Sequence, residues 1–260
     1  HDQHPRSWQL EMPSIGLPIA STTDFETVAV FDDDTGQAAT AKLQLADIGV
    51  TALIADLDKV STLELAVEWT STNAQAAICD VQLNNLHGGV GFTGSQLVSQ
   101  LVSERKCASV LTTGFIGDVG MWVRPYRKDI PVLLLRDQTE DPEAFVDGLE
   151  SCAAEITQGR PPERETSRVP LFIEKAGFAD RQLALDARVG GWMHTIPMRF
   201  PADMLNLPLD ESAARDLVGK VFFAHVNLGA EREADLFFEE PEPEFFDAAD
   251  VDLHFGDPDS

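Results

Sequence analysis

Apolar residues recur along the first 160 positions in short unbroken runs, each followed by a stretch with helical spacing. The runs are Val28–Phe31, Thr51–Ala55, Ala76–Cys79, Ser109–Leu111 and Pro131–Leu135. A short unbroken apolar run of this kind suits a strand buried on both faces of a parallel sheet. Between the runs, Ala38, Ala41, Leu45 and Ile48 share one helical face, with Thr35 as a cap and Gly49 as a stop. Leu63, Leu65, Ala66 and Trp69 mark a second helix, and Leu97, Val98, Leu101 and Val102 a third. Gly117 to Arg127 reads as a weak helix or irregular turn. Asp141-Pro142 opens a last helix carrying Phe145, Leu149, Cys152, Ala153 and Ile156. Five strand-helix units predict an α/β domain: a doubly wound five-stranded parallel sheet.

After Gly159 the texture changes. Arg160 to Ser167 reads as a linker. Residues 168–238 hold short runs (Val169–Ile173, Val189–Trp192, Ile196–Phe200, Val221–Leu228) broken by Gly and Pro, as in a smaller β-rich or mixed domain. Glu239 to Ser260 carries nine acids and no Lys or Arg, which reads as a solvated acidic tail. Residues 1–26 lack periodicity and read as an N-terminal arm, beginning at His1 as in a processed or trimmed chain.

The charge is the unusual part of the composition. Across 260 residues there are 44 acids and 19 bases, a net of −25, and only six of the bases are Lys. Such a surface repels phosphate backbones and anionic lipid, so nucleic acid and membrane are not expected partners. A habitat rich in salt favours the same composition. No apolar run approaches the ~20 residues that span a bilayer. Cys79, Cys107 and Cys152 lack metal or redox spacing and read as reduced core residues of a cytoplasmic protein.

The candidate chemistry sits where the runs end. Val28–Phe31 runs into Asp32-Asp33-Asp34, Ala76–Cys79 into Asp80, Ser109–Leu111 into Thr112-Thr113, and Pro131–Leu135 into Arg136. In an open α/β sheet, chemistry gathers at the carboxyl ends of the strands. A single Asp there also serves as a turn or helix cap; four such ends form a constellation. Paired acids suit a hard divalent cation such as Mg2+, which keeps positions for water or phosphate oxygens. A hydroxyl and a fixed cation can hold a phosphoryl group.

This order of parts resembles the receiver domain of two-component response regulators, over about residues 27–159. The resemblance implies a flavodoxin-like strand order of 2-1-3-4-5. It implies Asp80 as the phosphoacceptor, with Thr113 and Arg136 contacting the phosphoryl group. Mg2+ would be held by Asp32, Asp33, Asp80 and the backbone carbonyl of Gln82. It implies a sensor histidine kinase or phosphotransfer protein as donor, and a homodimer as receivers often form. Two positions depart from the family: Arg136-Asp137 stands where receivers carry Lys-Pro, and Leu133 lies where a switch aromatic is usual. A planar guanidinium does not replace a compact ammonium. A phosphorylation-independent pseudo-receiver adaptor therefore stays open beside an active one.

The segment 160–260 holds 10 bases against 21 acids and no helix-turn-helix pattern, so it is expected to bind a protein and not DNA. Trp192, His194, His225 and Asn227 read as core aromatic and satisfied polar groups before they read as a site, and His87 as a loop residue. The run Val30-Phe31-Asp32-Asp33-Asp34-Thr35 also has a likeness to the first motif of haloacid-dehalogenase-type phosphatases, with Asp32 as nucleophile. That alternative leaves Asp80 without a role.

Overall fold

The computed structural model describes residues 25–83, 90–192, 195–242 and 244–251. The N-terminal half is a five-stranded parallel sheet in the order β2-β1-β3-β4-β5. Its elements are β1 (Thr27–Phe31), α1 (Thr35–Asp47), β2 (Thr51–Ile54), α2 (Leu63–Asn73), β3 (Ala76–Asp80), α3 (Gly94–Ser103), β4 (Ala108–Thr113), β5 (Val132–Leu135) and α4 (Glu143–Gln158). This is the doubly wound arrangement that the receiver resemblance implies.

Side chains alternate across each strand, so β1 sends Val28 and Val30 to one face, Ala29 and Phe31 to the other. On the first face they meet Ala38 and Leu45 of α1 and Phe145, Leu149 and Cys152 of α4. On the second they meet Ala66 and Val67 of α2 and Leu97, Val98 and Leu101 of α3. Phe31 and Trp69 pack edge to face there, with ring centroids 5.7 Å apart. The three cysteines are buried free thiols.

Helix α1 is capped differently from expectation. The carboxylate of Asp34 accepts from the backbone N–H of Gly36 at 2.8 Å and of Gln37 at 3.2 Å, so Asp34 is the N-cap and Thr35 the first helical residue. An acidic oxygen beside the exposed N–H groups is favoured over a hydroxyl one residue too far along. At α3 the cap is a reciprocal one: Thr93 accepts from Gln96 N–H while Gln96 accepts from Thr93 N–H.

Between β4 and β5 the chain forms one π-helical turn, Val119–Val123, and a 3-10 segment, Arg124–Asp129, in place of a regular helix. Pro125 supplies no N–H, and Arg124 and Arg127 are drawn inward and wholly buried.

The second half is an antiparallel sheet in the order β10-β9-β6-β7-β8, with β11 also pairing β9. Its strands are β6 (Ser167–Ala179), β7 (Gln182–Val189), β8 (Met198–Pro201), β9 (Lys220–Val226), β10 (Phe238–Glu239) and β11 (Phe246–Asp247); α5 (Glu211–Asp216) packs Ala214 into its core. Of the expected run Val189–Trp192 only Val189 lies in a strand, as the last residue of β7, and Gly190 and Gly191 turn the chain away from it. Within β7 the short apolar run Leu183–Leu185 gives way to Ala187 alternating with charged Asp186 and Arg188.

Two segments expected as linker and tail are packed. Arg160 and Arg164 place their guanidinium groups 5.1 Å and 4.9 Å from the centroid of the buried Phe237 ring. Arg160 pairs with Glu239 at 2.9 Å, and Arg164 with Glu155 at 2.9 Å. Charged stems that cover an aromatic ring make poor linkers. The acidic segment, as far as it is described, is held by strand pairing to β9 and by its aromatics: Phe245 lies against Phe222 and Phe246 against Phe223. Residues 252–260, the arm up to 24, His87 and His194 lie outside the described residues. Of the other expected core groups, the Trp192 indole donates to the Ala230 carbonyl at 2.7 Å, and Asn227 bridges Asp235 and Phe237 backbone groups. No described helix is long and apolar enough to cross a membrane.

Candidate functional site

The carboxyl ends of β1, β3, β4 and β5 meet at one edge of the parallel sheet. Asp80 is the last residue of β3 and stands in register with Thr112 of β4. The Gln82 N–H donates to Asp80 Oδ2 at 2.9 Å, which leaves Oδ1 toward Arg136, whose Nη2 lies 3.9 Å away. Asp32 follows β1 directly, and its Oδ1 accepts from the Asp34 N–H at 2.8 Å. Asp32, Asp80, Thr112, Thr113 and Arg136 line one cavity of about 170 Å³, together with Gln37 and Gln44 of α1.

Close backbone packing holds Asp80 in place. Gly94, at the start of α3, donates to the Val81 carbonyl, and a Cβ on it would fall 1.9 Å from the Asp80 carbonyl oxygen. Gly114 gives similar room to Arg136, whose guanidinium carbon would lie 2.9 Å from a Cβ there. Gly94 carried no chemical signal in the sequence and is read only through what approaches it.

Burial and mutual repulsion set the electrostatics. Burial, then the Asp32 charge, push the Asp80 carboxyl up to about 7; the Gln82 N–H and Arg136 oppose them. Burial likewise pushes Asp32 up to about 6, with the Asp34 N–H opposing and the Asp33 charge adding. These half-buried acids repel one another across one cavity, and Arg136, half exposed, offsets only part of that repulsion.

The donor chemistry fits a hard divalent cation. The oxygens are carboxylate, and added positive charge would relieve a repulsion that the fold leaves standing. Among the described residues, no group of three or more His, Cys, Asp or Glu stands arranged for a metal.

Of the residues singled out from the sequence, Asp32, Asp80, Thr113 and Arg136 line this one cavity; Asp33 and Gln82 lie next to it in the chain and do not line it. Asp34 is occupied as the α1 cap. Thr113 is buried, and its hydroxyl is engaged away from Asp80. It accepts from the Phe115 N–H at 3.1 Å and faces the Phe115 carbonyl at 3.2 Å and the Asp118 carboxylate at 3.5 Å. Asp118 was not singled out from the sequence. An acid in an irregular turn five residues past a strand carries no spacing signal.

No family model matches the sequence, and no curated protein matches it. Solved structures do. A Burkholderia pseudomallei response regulator with a phosphorylated aspartic acid, calcium ion and citrate is 18% identical over 51% of this chain and 71% of that one, with a TM-score of 0.37. A Thermotoga maritima response regulator in complex with Mg2+-BeF is 16% identical over 48% of this chain and 98% of that one, at 0.38. The signal receiver domain of a modulated diguanylate cyclase from Desulfovibrio desulfuricans is 15% identical over 53% of this chain and all of that one, at 0.41.

Proposed function

We propose that the chain is a response-regulator-like signalling protein in which Asp80 accepts a phosphoryl group and the antiparallel sheet carries the output. The observation that supports this most is the placement of Asp80. It ends the central strand of a 2-1-3-4-5 sheet, with a second, half-buried acid beside it and a guanidinium 3.9 Å from one of its oxygens.

The transfer is a displacement at phosphorus. Asp80 Oδ1 forms the new O–P bond, and the bond from phosphorus to the donor's imidazole nitrogen or acyl oxygen breaks, its electron pair leaving with the donor. The Gln82 N–H fixes the other oxygen of Asp80 and so orients the attack. Arg136 adds a charge-assisted contact for the phosphoryl oxygens. Asp32, Asp33 and Asp80 with the Gln82 carbonyl would hold Mg2+, which when bound supplies further neutralisation of those oxygens. The donor is a sensor histidine kinase, a phosphotransfer protein or a small acyl phosphate, which places the chain in the cytoplasm. The partner of the output sheet is a protein, since that half is acidic. As in many receivers, the active form is a homodimer.

The engagement of Thr113 with Asp118, and Arg136 where receivers carry Lys, favour a second reading: an adaptor that keeps the receiver shape and is not phosphorylated. Intact-protein mass after incubation with acetyl phosphate and Mg2+ separates the two. One phosphoryl adduct on the wild type, absent from Asp80→Asn, supports the first. No adduct on either supports the adaptor. Turnover of a phosphomonoester that Asp32→Asn abolishes and Asp80→Asn does not would move the assignment to a phosphatase.

A further inference from the structure

β5 is the outer strand of the parallel sheet, so its alternate residues turn their backbone groups to an edge without a neighbouring strand. The Arg136 N–H bonds inward, to the Thr113 carbonyl at 3.0 Å. Leu133 and Leu135 face outward, and side chains serve them in place of a strand. The Leu135 N–H donates to Gln138 Oε1 at 2.9 Å, and the Leu133 carbonyl accepts from Arg232 Nη2 at 3.3 Å.

Arg232 belongs to the other half of the molecule, between β9 and β10. Its fork is anchored there: Nε and Nη2 donate to the Asp235 carboxylate at 2.6 and 2.9 Å, and Asp235 also pairs with the buried Arg127. That leaves Nη1, which donates to Gln138 Oε1 at 3.0 Å. One oxygen of Gln138 thus takes two donors, one from β5 and one from the antiparallel half. A guanidinium fork serves Asp235, Gln138 and Leu133 at once in fixed directions; an ammonium on a flexible stem does not hold that arrangement.

The tie acts on the turn that carries Arg136. Gln138 opens a 3-10 turn, Gln138–Glu140, directly after Arg136-Asp137. Thr139 folds back on Arg136, giving its N–H at 3.1 Å and its hydroxyl at 2.8 Å to the Arg136 carbonyl. From the opposite side Gln44 of α1 donates to the Thr139 carbonyl at 2.8 Å. The Arg136 side chain is half exposed, so burial does not fix it, and the turn decides where it starts.

We infer that Arg232 is a positioning residue: through Gln138 the antiparallel half fixes the turn after β5 and so holds Arg136 at the Asp80 cavity. Coupling is reciprocal, so whatever the tie adds to phosphoryl binding, an occupied Asp80 returns to the tie. The second half thereby senses Asp80 through the cation beside it. The effect on Asp80 rests on its proposed role; the hold on the turn does not.

The first test is amide hydrogen exchange across residues 135–139 of the full chain, with no phosphodonor present. Gln138→Ala and Arg232→Lys should each speed exchange there by about fivefold, with exchange in β1 and β3 unchanged as the folding control. The double variant should be no faster than Gln138→Ala alone, because Arg232 acts through Gln138. Arg232→Lys keeps a positive charge beside Asp235. A wild-type rate in that variant would assign Arg232 to the ion pair alone and overturn the inference, as would additivity in the double variant. The second test is adduct formation from acetyl phosphate with Mg2+, which both single variants should slow by about fivefold. An unchanged rate with a loosened turn also overturns the inference. Beryllium fluoride with Mg2+ should slow exchange across residues 232–236 in the wild type and not in Gln138→Ala; equal slowing in both would overturn the reciprocal link. If the wild type takes no phosphoryl adduct by mass, the proposed function fails, while exchange in Arg232→Lys still decides the hold on the turn.

Discussion

Arg127, buried at the junction of the two sheets, sets its Nη2 2.9 Å from Asp235 Oδ1 and its Nε 3.2 Å from the Ala234 carbonyl. Arg124 beside it donates to the Arg199 carbonyl at 3.2 Å and the Glu233 carbonyl at 3.0 Å, and pairs with the Glu233 carboxylate. Two buried guanidinium groups from the parallel-sheet half are thus satisfied almost entirely by the antiparallel half. Ala234, next to these acceptors, packs in the core of the first half. Asp235→Ala leaves Arg127 without its counter-charge, and the expected cost is about 3 kcal/mol. Chemical denaturation should show a single transition shifted as a whole. A variant in which only the second half melts early would show that the halves fold independently.

The same acid has a pH signature. Burial alone would raise the Asp235 carboxyl, but the Arg232 hydrogen bond and the Arg127 charge carry it below its ordinary value of 3.8. Its stabilising contribution is therefore complete above that value and is lost as pH falls through the lower folded value. The stability gap between wild type and Asp235→Asn should stay constant from pH 7 to about 4 and narrow below it. A gap that closes on going from pH 5 to pH 7 contradicts the pairing.

At the acid pair the sign reverses. Asp80 and Asp32 sit above the ordinary carboxylate value through burial and repulsion, so their ionised forms destabilise the fold at neutral pH. Without added metal, Asp80→Asn should be more stable than wild type by about 2 kcal/mol. Mg2+ should raise the wild-type Tm, by an amount equivalent to about 2.7 kcal/mol at a hundred times Kd. An equal Mg2+ shift in Asp80→Asn would remove Asp80 from the metal site.

Gly94→Ala forces a methyl group against the Asp80 carbonyl, 1.9 Å from it before relaxation. The expected loss is about 3 kcal/mol, with the Asp80 end of β3 displaced. Thermal unfolding measures the first. The rate of adduct formation with acetyl phosphate measures the second, and an unchanged rate would detach Gly94 from the site.

Arg181→Gly relieves a side chain held at φ 66° and should stabilise the chain by about 1 kcal/mol. A loss of stability would mean that the Arg181 side chain holds the turn through contacts stronger than the backbone strain it causes.

The sequence determined the parallel half and the place of its candidate site. Short apolar runs such as Ala76–Cys79 and Val132–Leu135 allow little but buried strands, and a buried strand must hand its first polar residue to an edge; Asp32, Asp80 and Arg136 are those residues. Periodicity is local, so it is readable one segment at a time. Tertiary structure alone decided the rest. Leu185 and Ala187 alternate with Asp186 and Arg188, and that pattern forms an interior strand between β6 and β8, where Arg199 of β8 reaches Asp186 at 2.7 Å. Arg124, Arg127 and Arg164 look like solvated charges along the chain. Their partners lie roughly 100 residues away for the first two, at Glu233 and Asp235, and for Arg164 include the Phe237 ring. The Thr113 hydroxyl is different: its partners Phe115 and Asp118 are close along the chain, but in a turn with no regular period to read. A long-range partner leaves no spacing in the sequence, because the distance that matters is measured through the fold and not along the chain.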